Sequence, residues 1–338
     1  MLKRGRIFIL LAILLLLLFM ADIALGSVSI SLSNVWELLL HGRDGSALSY
    51  IIWDIRLPKA IAAVMVGSGL SISGLLLQSL FRNPLAGPSV LGISSGASLG
   101  VATYVMAGGM GVISYGLLSA GGLALFSIAG SLLVLMAVMA VSVKVNDTVS
   151  LLIVGIMFGS ITGSLVSVLQ YFSTADLVQH FIIWTFGSLG AMTWNELALV
   201  AAVVLSSSLA TLFLMKPLNA LLLSDQYAES MGVSVKRTRH WIIIISSLIA
   251  GVITAFAGPI VFVGVAVPHL TRNLFRTVDH RILVPAVLLV GSILMLICDI
   301  ISEMPGSSIG LPINSVTALF GAPVVIWIIL QNRRKNLG

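Results

Sequence analysis

Charged side chains are scarce in this sequence. Aspartate, glutamate, lysine and arginine make up 9% of its 338 residues, against 58% for hydrophobic residues. A soluble domain carries about a quarter charged residues, so this composition predicts a protein that crosses a membrane several times. It disfavours a soluble nucleic-acid-binding protein, although the formal net charge is +6. The excess positive charge is better explained by membrane orientation, because lysine and arginine accumulate on the cytoplasmic side.

Cysteine and the common catalytic motifs are also scarce or missing. Cys298 is the only cysteine, which excludes an intrachain disulfide and a cysteine-based metal cluster. The chain contains no G-x-x-x-x-G-K-[ST] motif, so it cannot bind ATP through a P-loop of its own. Its five histidines show no H-E-x-x-H spacing. We therefore expect this chain to have no catalytic residues, no metal site and no bound cofactor.

The apolar segments predict an all-α, polytopic transmembrane helical bundle that forms one domain over residues 1–338. A span needs about 20 apolar residues. The first segment could also be a signal peptide, but its apolar run is long enough to favour a span. The ten predicted spans are Arg6–Gly26, Ile55–Phe81, Pro88–Ala107, Leu118–Val143, Val149–Tyr171, Asn195–Met215, Trp241–Ala257, Pro259–Phe275, Ile282–Ile301 and Pro312–Leu330.

The basic residues are concentrated in every second connection between these spans. Lys3, Arg4 and Arg6 precede or begin the first span, and every even-numbered connection also carries lysine or arginine. Because such residues favour the cytoplasm, both termini and the longest inner connection, Lys216–His240, are predicted to be cytoplasmic. The sequence at Ala86–Val90 also recurs at Ala257–Val261. With opposite orientations, the two copies suggest an inverted repeat of spans two to five against seven to ten, although a chance match is an alternative.

The stretch Gln78–Gly100 interrupts the most apolar part of the chain with Pro84, Pro88 and several glycines and serines. In lipid, broken backbone is tolerated only where it is buried in protein or lines a wet cavity. We therefore predict a turn and a helix start inside the bundle, beside a pathway. Its glycines recur every four residues and are expected to pack on the second span. The residues concerned are Gly92, Gly96 and Gly100, facing Ser71, Gly74 and Gln78.

The same stretch contains a G-x-S-x-G match at Gly92–Gly96, the pattern of a serine hydrolase nucleophile elbow. With His269 in a later span, an intramembrane hydrolase is conceivable. The elbow needs a strand–turn–helix context, however, so close helix packing is the favoured interpretation, with Ser94 wetted by the pathway. His269, which follows Pro268, is expected to be a buried polar residue satisfied by a neighbouring helix.

Glycines on the fifth span form a second packing motif, G-x-x-x-G-x-x-x-G, at Gly155, Gly159 and Gly163. This face could pack within the bundle, against a sister subunit or along a pathway. Outside the membrane, a short helix is expected between Asn34, as its cap, and Gly42, as its end. A second outer helix is expected at Ala175–Trp184.

The connection Lys216–His240 is the longest cytoplasmic element and is predicted to hold a short helix that Ser224 caps and Gly232 ends. A solvated hairpin is the simplest interpretation. The apolar face formed by Tyr227, Ala228 and Met231 instead indicates a docking surface.

A set of motifs runs in order over nearly the whole chain and, as a set, resembles a known family. The motifs are Arg56-Leu57-Pro58-Lys59, Gly69 to Gln78, Arg82-Asn83-Pro84-Leu85-Ala86, Leu91-Gly92 through Gly96-Ala97, Leu218-Asn219 through Ala228, Met231-Gly232-Val233, Gly258-Pro259-Ile260 through Pro268-His269-Leu270, Arg272, and Gly310-Leu311-Pro312 through Gly321-Ala322-Pro323. They resemble the permease subunits of type II ATP-binding-cassette (ABC) importers for iron-siderophore, haem and cobalamin (the FecCD type).

The resemblance implies a homodimer around a translocation pathway, surrounded by the lipid of the bacterial inner (plasma) membrane. It implies two ABC ATPase subunits, which hold ATP and Mg, and an extracytoplasmic substrate-binding protein that docks at Arg56 and Lys59. ATPase coupling falls to Asp225, Ala228, Met231, Gly232, Arg237 and Arg239. The residues expected along the pathway or in helix packing are Gln78, Asn83, Pro84, Gly92, Ser94, Gly96, Gly155, Gly159, Gly163, Pro268 and His269.

Two positions depart from the family pattern. Ser224 stands where the family usually has glycine, and the final outer loop, Glu303–Pro312, has no basic residue. An ion-coupled secondary transporter is the alternative function. Transporters of that class tend to place ionisable residues at mid-membrane, whereas Asp22 and Asp299 lie near span ends here.

Overall fold

The computed structural model describes residues 2–26, 30–109, 120–142, 144, 148–305 and 310–335, and every regular element within them is helical. The start of the predicted fourth span and the centre of the final outer loop lie outside these residues. The α-helices are α1 (Leu2–Ala24), α2 (Leu32–His41), α3 (Ala47–Tyr50), α4 (Leu57–Phe81), α5 (Ile93–Gly109), α6 (Ala120–Ser142), α7 (Thr148–Tyr171), α8 (Ala175–Thr185), α9 (Trp194–Leu221), α10 (Asp225–Ser230), α11 (Val235–Ala257), α12 (Val263–Phe275), α13 (His280–Glu303) and α14 (Ile313–Lys335).

Helices occupy all ten predicted span positions, which confirms the helical, multi-span class. By length and composition, seven segments of the described chain can cross a membrane: Arg4–Ala24, Ala47–Phe81, Gly121–Ser142, Val149–Tyr171, Trp194–Leu221, Val235–Ala257 and His280–Glu303. At the other three predicted span positions, α5 and α14 carry shorter apolar segments, and α12 has only 13 residues. The count of ten spans and the inverted repeat therefore stay predictions.

Helix α4 lies at the centre of the bundle, and most of its residues are buried. Its sequence is rich in glycine, serine and alanine, which lets neighbouring helices approach closely. A methyl group on Gly74 would overlap the carbonyl of Gly264 on α12, and one on Gly67 would overlap Gly291 on α13. The contact between these helices is thus made by backbone against backbone.

The glycines at the start of α5 pack on other helices than predicted. A methyl group on Gly96 would lie 2.6 Å from the carbonyl oxygen of Gly130 on α6, and Gly100 also faces α6. Gly92 precedes α5 and adopts a left-handed backbone with φ +73°, so it breaks the four-residue periodicity. It packs instead against Gly155 and Gly159 of α7. The predicted face towards the second span is therefore wrong.

Helices α3 and α4 are joined by a π-helical turn. Residues Ile51–Arg56 form a π-helix between α3 and α4, so Ala47–Phe81 is one continuous apolar helix with a wider turn near its outer end. Such turns carry one extra residue relative to an α-helix. The turn ends at Arg56, which is buried.

The outer helices agree with the predictions except for one cap. Ser31, rather than Asn34, caps α2, since its hydroxyl accepts from the Asn34 backbone at 3.3 Å. The helix begins at Leu32, three residues earlier than a cap at Asn34 implies, which makes Asn34 its third residue. Gly42 ends the helix with φ +83°, as predicted, and α8 lies where the second short helix is expected. Their place on the outer side stays a prediction.

Candidate functional site

The segment 216–240, here called the coupling segment after its predicted role, forms the short helix that the sequence predicts. Ser224 caps α10 by accepting a hydrogen bond from the Tyr227 backbone at 3.0 Å. Gly232 follows the helix with φ +80°, and its N–H donates to the Glu229 carbonyl at 2.9 Å. Ser224 itself is extended, with φ −170°, a conformation that any residue adopts. The structure therefore accommodates serine where the family pattern has glycine.

Helix α10 rests on the bundle by one face and exposes the other. Ala228 is fully buried, whereas Tyr227 and Met231 are 48% and 61% exposed. Among the predicted coupling residues, Arg237 is exposed and Arg239 is buried. The structure thus brings the predicted coupling residues together around α10 and the start of α11. Their exposed part is apolar at its centre and basic at its edge, which suits a protein partner.

Arg82 links the coupling segment to the end of α4. Its Nη2 atom lies 2.5 Å from Asp225 Oδ1 in the first turn of α10, and its Nε donates to the Leu221 carbonyl at 3.1 Å. Arg239 of α11 lies 3.9 Å from the second Asp225 oxygen. Arg82 has a left-handed backbone, with φ +46°, where α4 ends. Sequence reasoning missed this contact, although Arg82 stands out as the last charge before a long uncharged interval.

A second set of polar contacts, here called the inner polar relay, joins α9, α13 and α4. Asn219 on α9 donates to Asp279 at 2.6 Å, and its amide oxygen lies 2.8 Å from His280 Nδ1. Because that oxygen can only accept, Nδ1 carries a proton and donates to it. The Ser79 hydroxyl lies between His280 Nε2, at 2.7 Å, and the Leu75 carbonyl, at 2.8 Å. Ser79 and His280 are almost fully buried, so the relay holds the three inner helix ends together.

Asp279 begins this relay as the cap of α13. The backbone N–H of Arg281 and the amide of Asn219 both donate to its carboxylate, and these bonds hold its pKa below the usual range. The carboxylate is therefore ionised at neutral pH. Its negative charge then stabilises α13, because the N-terminus of a helix carries a partial positive charge.

Gln78 and Asn83, both predicted for the pathway or for packing, make contacts within the chain. Gln78 is buried, donates to the Val265 carbonyl of α12 at 3.0 Å and accepts from Arg272 at 2.6 Å. Asn83 accepts from the Leu85 backbone at 2.9 Å and so forms the turn around Pro84. The side chain of Gln78 therefore acts in helix packing at the inner end of α4.

Arg56 and Lys59 belong to an outer charge cluster with Asp22, Asp299 and Glu303. Arg56 donates to the carbonyls of Ile23 and Ala24 at 2.7 and 2.9 Å, which caps the C-terminus of α1. Lys59 forms ion pairs with Asp299, at 3.2 Å, and with Glu303. The sequence shows these acids at the ends of other spans, but it does not show that they meet Lys59. The docking role of Arg56 and Lys59 stays a prediction.

The remaining pathway candidates lie on different surfaces. The hydroxyl of Ser94 lies 3.5 Å from that of Thr254 on α11. The G-x-S-x-G match begins at Gly92, directly after the 3-10 turn, and continues into the start of α5. The ring of the half-buried His269 meets Trp327 edge-on at 6.0 Å. Pro268 is buried in α12. Gly155 and Gly159 pack on Gly92 within the bundle, whereas a methyl group on Gly163 would meet open space.

A bundle of helices, seven segments of which are long and apolar enough to cross a membrane, with a partly buried break between α4 and α5, fits a transport permease. The sequence profile described as the FecCD transport family matches residues 14–331, and the chain belongs to this family. Within this family of transport proteins the chain is a permease. It is a multi-pass protein of the inner membrane.

Relatives match over most of their length. The hemin transport system permease protein HmuU of Yersinia pestis is 33% identical over 334 residues, covering 97% of this chain and 96% of the relative. The vitamin B12 import system permease protein BtuC of Salmonella typhi is 35% identical over 283 residues, or 84% of each chain. These names place the chain among membrane permeases of import systems.

Two solved structures share the fold. A metal-chelate type ABC transporter in an inward-facing conformation superposes with a TM-score of 0.82 at 29% identity, covering 97% of this chain and 99% of that chain. PsaBC from Streptococcus pneumoniae, solved with a Fab, has a TM-score of 0.55 at 15% identity, covering 88% of this chain and 94% of that chain. The second likeness concerns the fold alone.

Proposed function

We propose that this chain is the membrane subunit of a homodimeric ABC importer that carries a metal chelate into the cell. The match of the family profile to residues 14–331 is the observation that carries the proposal. The relatives named for hemin and vitamin B12, and the metal-chelate transporter of like structure, support haem, cobalamin or an iron-siderophore as the substrate class. The chain itself binds no cofactor in this proposal.

ATP hydrolysis is assigned to two partner ATPase subunits, which bind ATP and Mg. The sequence has no P-loop, so the energy must come from another chain. We place the docking surface at α10 and its surroundings, where Met231 is exposed beside Gly232 and Arg237. Ala228, Asp225 and Arg239 support this surface from beneath.

Replacing Gly232 by arginine is expected to lower ATPase-driven transport about tenfold or more while the chain still inserts normally. Arginine is strained at φ +80° and adds bulk at the proposed docking surface. Transport and ATP hydrolysis by the purified complex measure the effect.

Gly232→Asn is the matched control, since asparagine tolerates a left-handed backbone better and is smaller. It should keep most of the activity. Unchanged transport in Gly232→Arg would remove α10 from the docking surface.

At the outer face, a substrate-binding protein is proposed to dock near Arg56 and Lys59. Both side chains already contact groups within the chain, so a carboxylate of the docking protein would have to replace Glu303 as the partner of Lys59. Charge pairs of this kind mainly affect the rate and orientation of encounter. The outer helices α2 and α8 lie on the same side in the proposed ten-span topology, which places both termini in the cytoplasm.

Thiol labelling tests this topology. Single cysteines are introduced at Ser46 and at Ser234, both exposed, in a Cys298→Ala background. An impermeant maleimide added to intact cells is expected to label position 46 and to spare position 234, because the basic inner connections are cytoplasmic. After the cells are permeabilised, both positions should react. Labelling of position 234 alone in intact cells would contradict the orientation.

The proposed pathway runs between the two subunits beside α5 and α7. Ser160, Gly163, Ser164 and Ser167 form an exposed, small and polar strip on α7. Lipid contact would leave this strip without polar partners beyond its own helix, whereas a wet pathway would hydrate it. Ser94, on the neighbouring helix, is placed beside the same pathway.

Purification of the tagged chain from its own cells tests the proposal as a whole. An ATPase with a P-loop should co-purify, and the complex should hydrolyse ATP. Any bound substrate should be visible by absorbance and mass spectrometry as a metal chelate. Uptake driven by an ion gradient, with no associated ATPase, would favour the ion-coupled alternative.

A further inference from the structure

The inner end of α4 carries two different connections to the coupling segment. The inner polar relay fixes the end of α9 through Asn219, His280 and Ser79, and its last two members are buried. Arg82 contacts α10 through the ion pair with Asp225, and about half of each of these two side chains is exposed. The base of the coupling segment is thus held tightly, whereas α10 is attached to Arg82 at the surface.

Arg82 also lies at the start of the broken stretch. It ends α4 with a left-handed backbone, and the next left-handed residue is Gly92, just before α5. Between them, residues 83–92 contain the Asn83 turn and the 3-10 turn Pro88–Leu91 but no α-helix. Segments of this kind absorb changes in φ and ψ that a continuous helix resists.

The far end of residues 83–92 contacts the helices of the proposed pathway. Gly92 packs on the backbone of α7 at Gly155 and Gly159. Pro88 lies against Gly264 of α12, and Gly87 lies against Val265 of the same helix. A shift of Arg82 would therefore reach α7 and α12 through close backbone contacts that leave little free space.

We propose that Arg82 is a positioning residue that transmits movement of α10 to residues 83–92, and so to α7 and α12. This inference rests on the proposed function, because it takes the ATPase to be what moves α10. Asp225 receives the movement as the first residue of α10. Arg239 lies 3.9 Å from the other oxygen of that carboxylate, so a second positive charge holds Asp225 in place. The inner polar relay keeps α4 and α9 in place while Arg82 moves.

The test measures movement of residues 83–92 without requiring the substrate to be known. Ser89→Cys is introduced in a Cys298→Ala chain, and the complex with its ATPase is placed in lipid nanodiscs. The rate at which the introduced thiol reacts with a maleimide is compared without nucleotide and with ATP, Mg and vanadate. ATP hydrolysis is measured on the same samples. The arginine variants are Arg82→Gln and Arg82→Lys.

With Arg82 intact, adding ATP, Mg and vanadate is expected to change the rate of the thiol reaction about threefold or more. Arg82→Gln should abolish this change while ATP hydrolysis stays within about twofold, and Arg82→Lys should restore part of it because the charge remains. Arg43→Gln is the matched control, since Arg43 makes a similar exposed ion pair with Asp54 at 2.8 Å on the other side of the bundle. It should behave like the unaltered complex.

An equal rate change in Arg82→Gln and in the unaltered complex would overturn the inference. So would the absence of any change with Arg82 intact, because residues 83–92 would then not follow the nucleotide state. Loss of ATP hydrolysis in Arg82→Gln would also overturn it, since Arg82 would then act in ATPase assembly. If no ATPase co-purifies with the unaltered chain, the proposed function itself fails, and the inference fails with it.

Discussion

Replacing Gly74 by alanine is expected to remove most of the folded protein from the membrane. The added methyl group would overlap the carbonyl of Gly264, and a backbone group cannot turn aside as a flexible side chain can. Helices α4 and α12 would have to separate, and α4 is the centre of the bundle. We expect the free energy of unfolding to fall by more than about 3 kcal/mol and membrane abundance to fall about tenfold or more.

Gly163→Ala is the matched control for this change. Both glycines lie in the middle of a membrane helix, but a methyl group on Gly163 would meet open space. Alanine favours helix over glycine by about 0.5–1 kcal/mol, so this variant should be as stable as the original or slightly more so. Abundance and thermal stability are read by fluorescence size-exclusion chromatography. Normal abundance of Gly74→Ala would show that α4 and α12 do not pack by backbone contact.

Replacing Lys59 by methionine is expected to destabilise the chain strongly. The change leaves Asp299, which is buried, without the cation at 3.2 Å, and it also removes one of the cations beside Glu303. Removing one member of a buried ion pair costs about 3–5 kcal/mol, because the other charge stays buried without compensation. Thermal unfolding of the detergent-solubilised protein measures the loss.

A double substitution separates the pair itself from general disruption. Lys59→Met combined with Asp299→Leu removes both charges, and it should regain at least about half of the lost stability. Arg43→Gln breaks an exposed pair in the outer region and should cost no more than about 1 kcal/mol. Equal losses in the single and double variants would mean that Lys59 and Asp299 act independently.

The sequence predicts the features that depend on neighbouring residues. Helix positions follow from the length of apolar runs, and the end of α10 follows from Ser224 and Gly232, since caps and left-handed glycines act within a few residues. The family pattern predicts the coupling segment for the same reason. The predicted cap of α2 lies three residues from the observed one, which is within the usual uncertainty of helix ends predicted from sequence.

Contacts between distant parts of the chain could not be predicted in this way. Gly96 was expected to face α4 but packs on α6, because the left-handed Gly92 changes the direction of the chain before α5 begins. Lys59 reads as an exposed basic residue in the sequence, and only the position of α13 shows that it lies beside Asp299 and Glu303. A repeat of small residues predicts that two helices pack closely, but it does not show which helix is the partner.

The π-helical turn at Ile51–Arg56 constrains how this protein can change in length. It amounts to one inserted residue in the continuous helix Ala47–Phe81. A π-turn takes up its extra residue locally, so the helix on either side keeps nearly the same faces. Deleting one residue there would restore regular α-helical winding and leave Arg56 and Lys59 in place. A deletion within the regular part of α4 would instead rotate everything upstream by about 100°, turning Asp54 and the chain leading back to α2 to another side. The turn is therefore the place where this long helix can lose a residue without reorienting the segment before it.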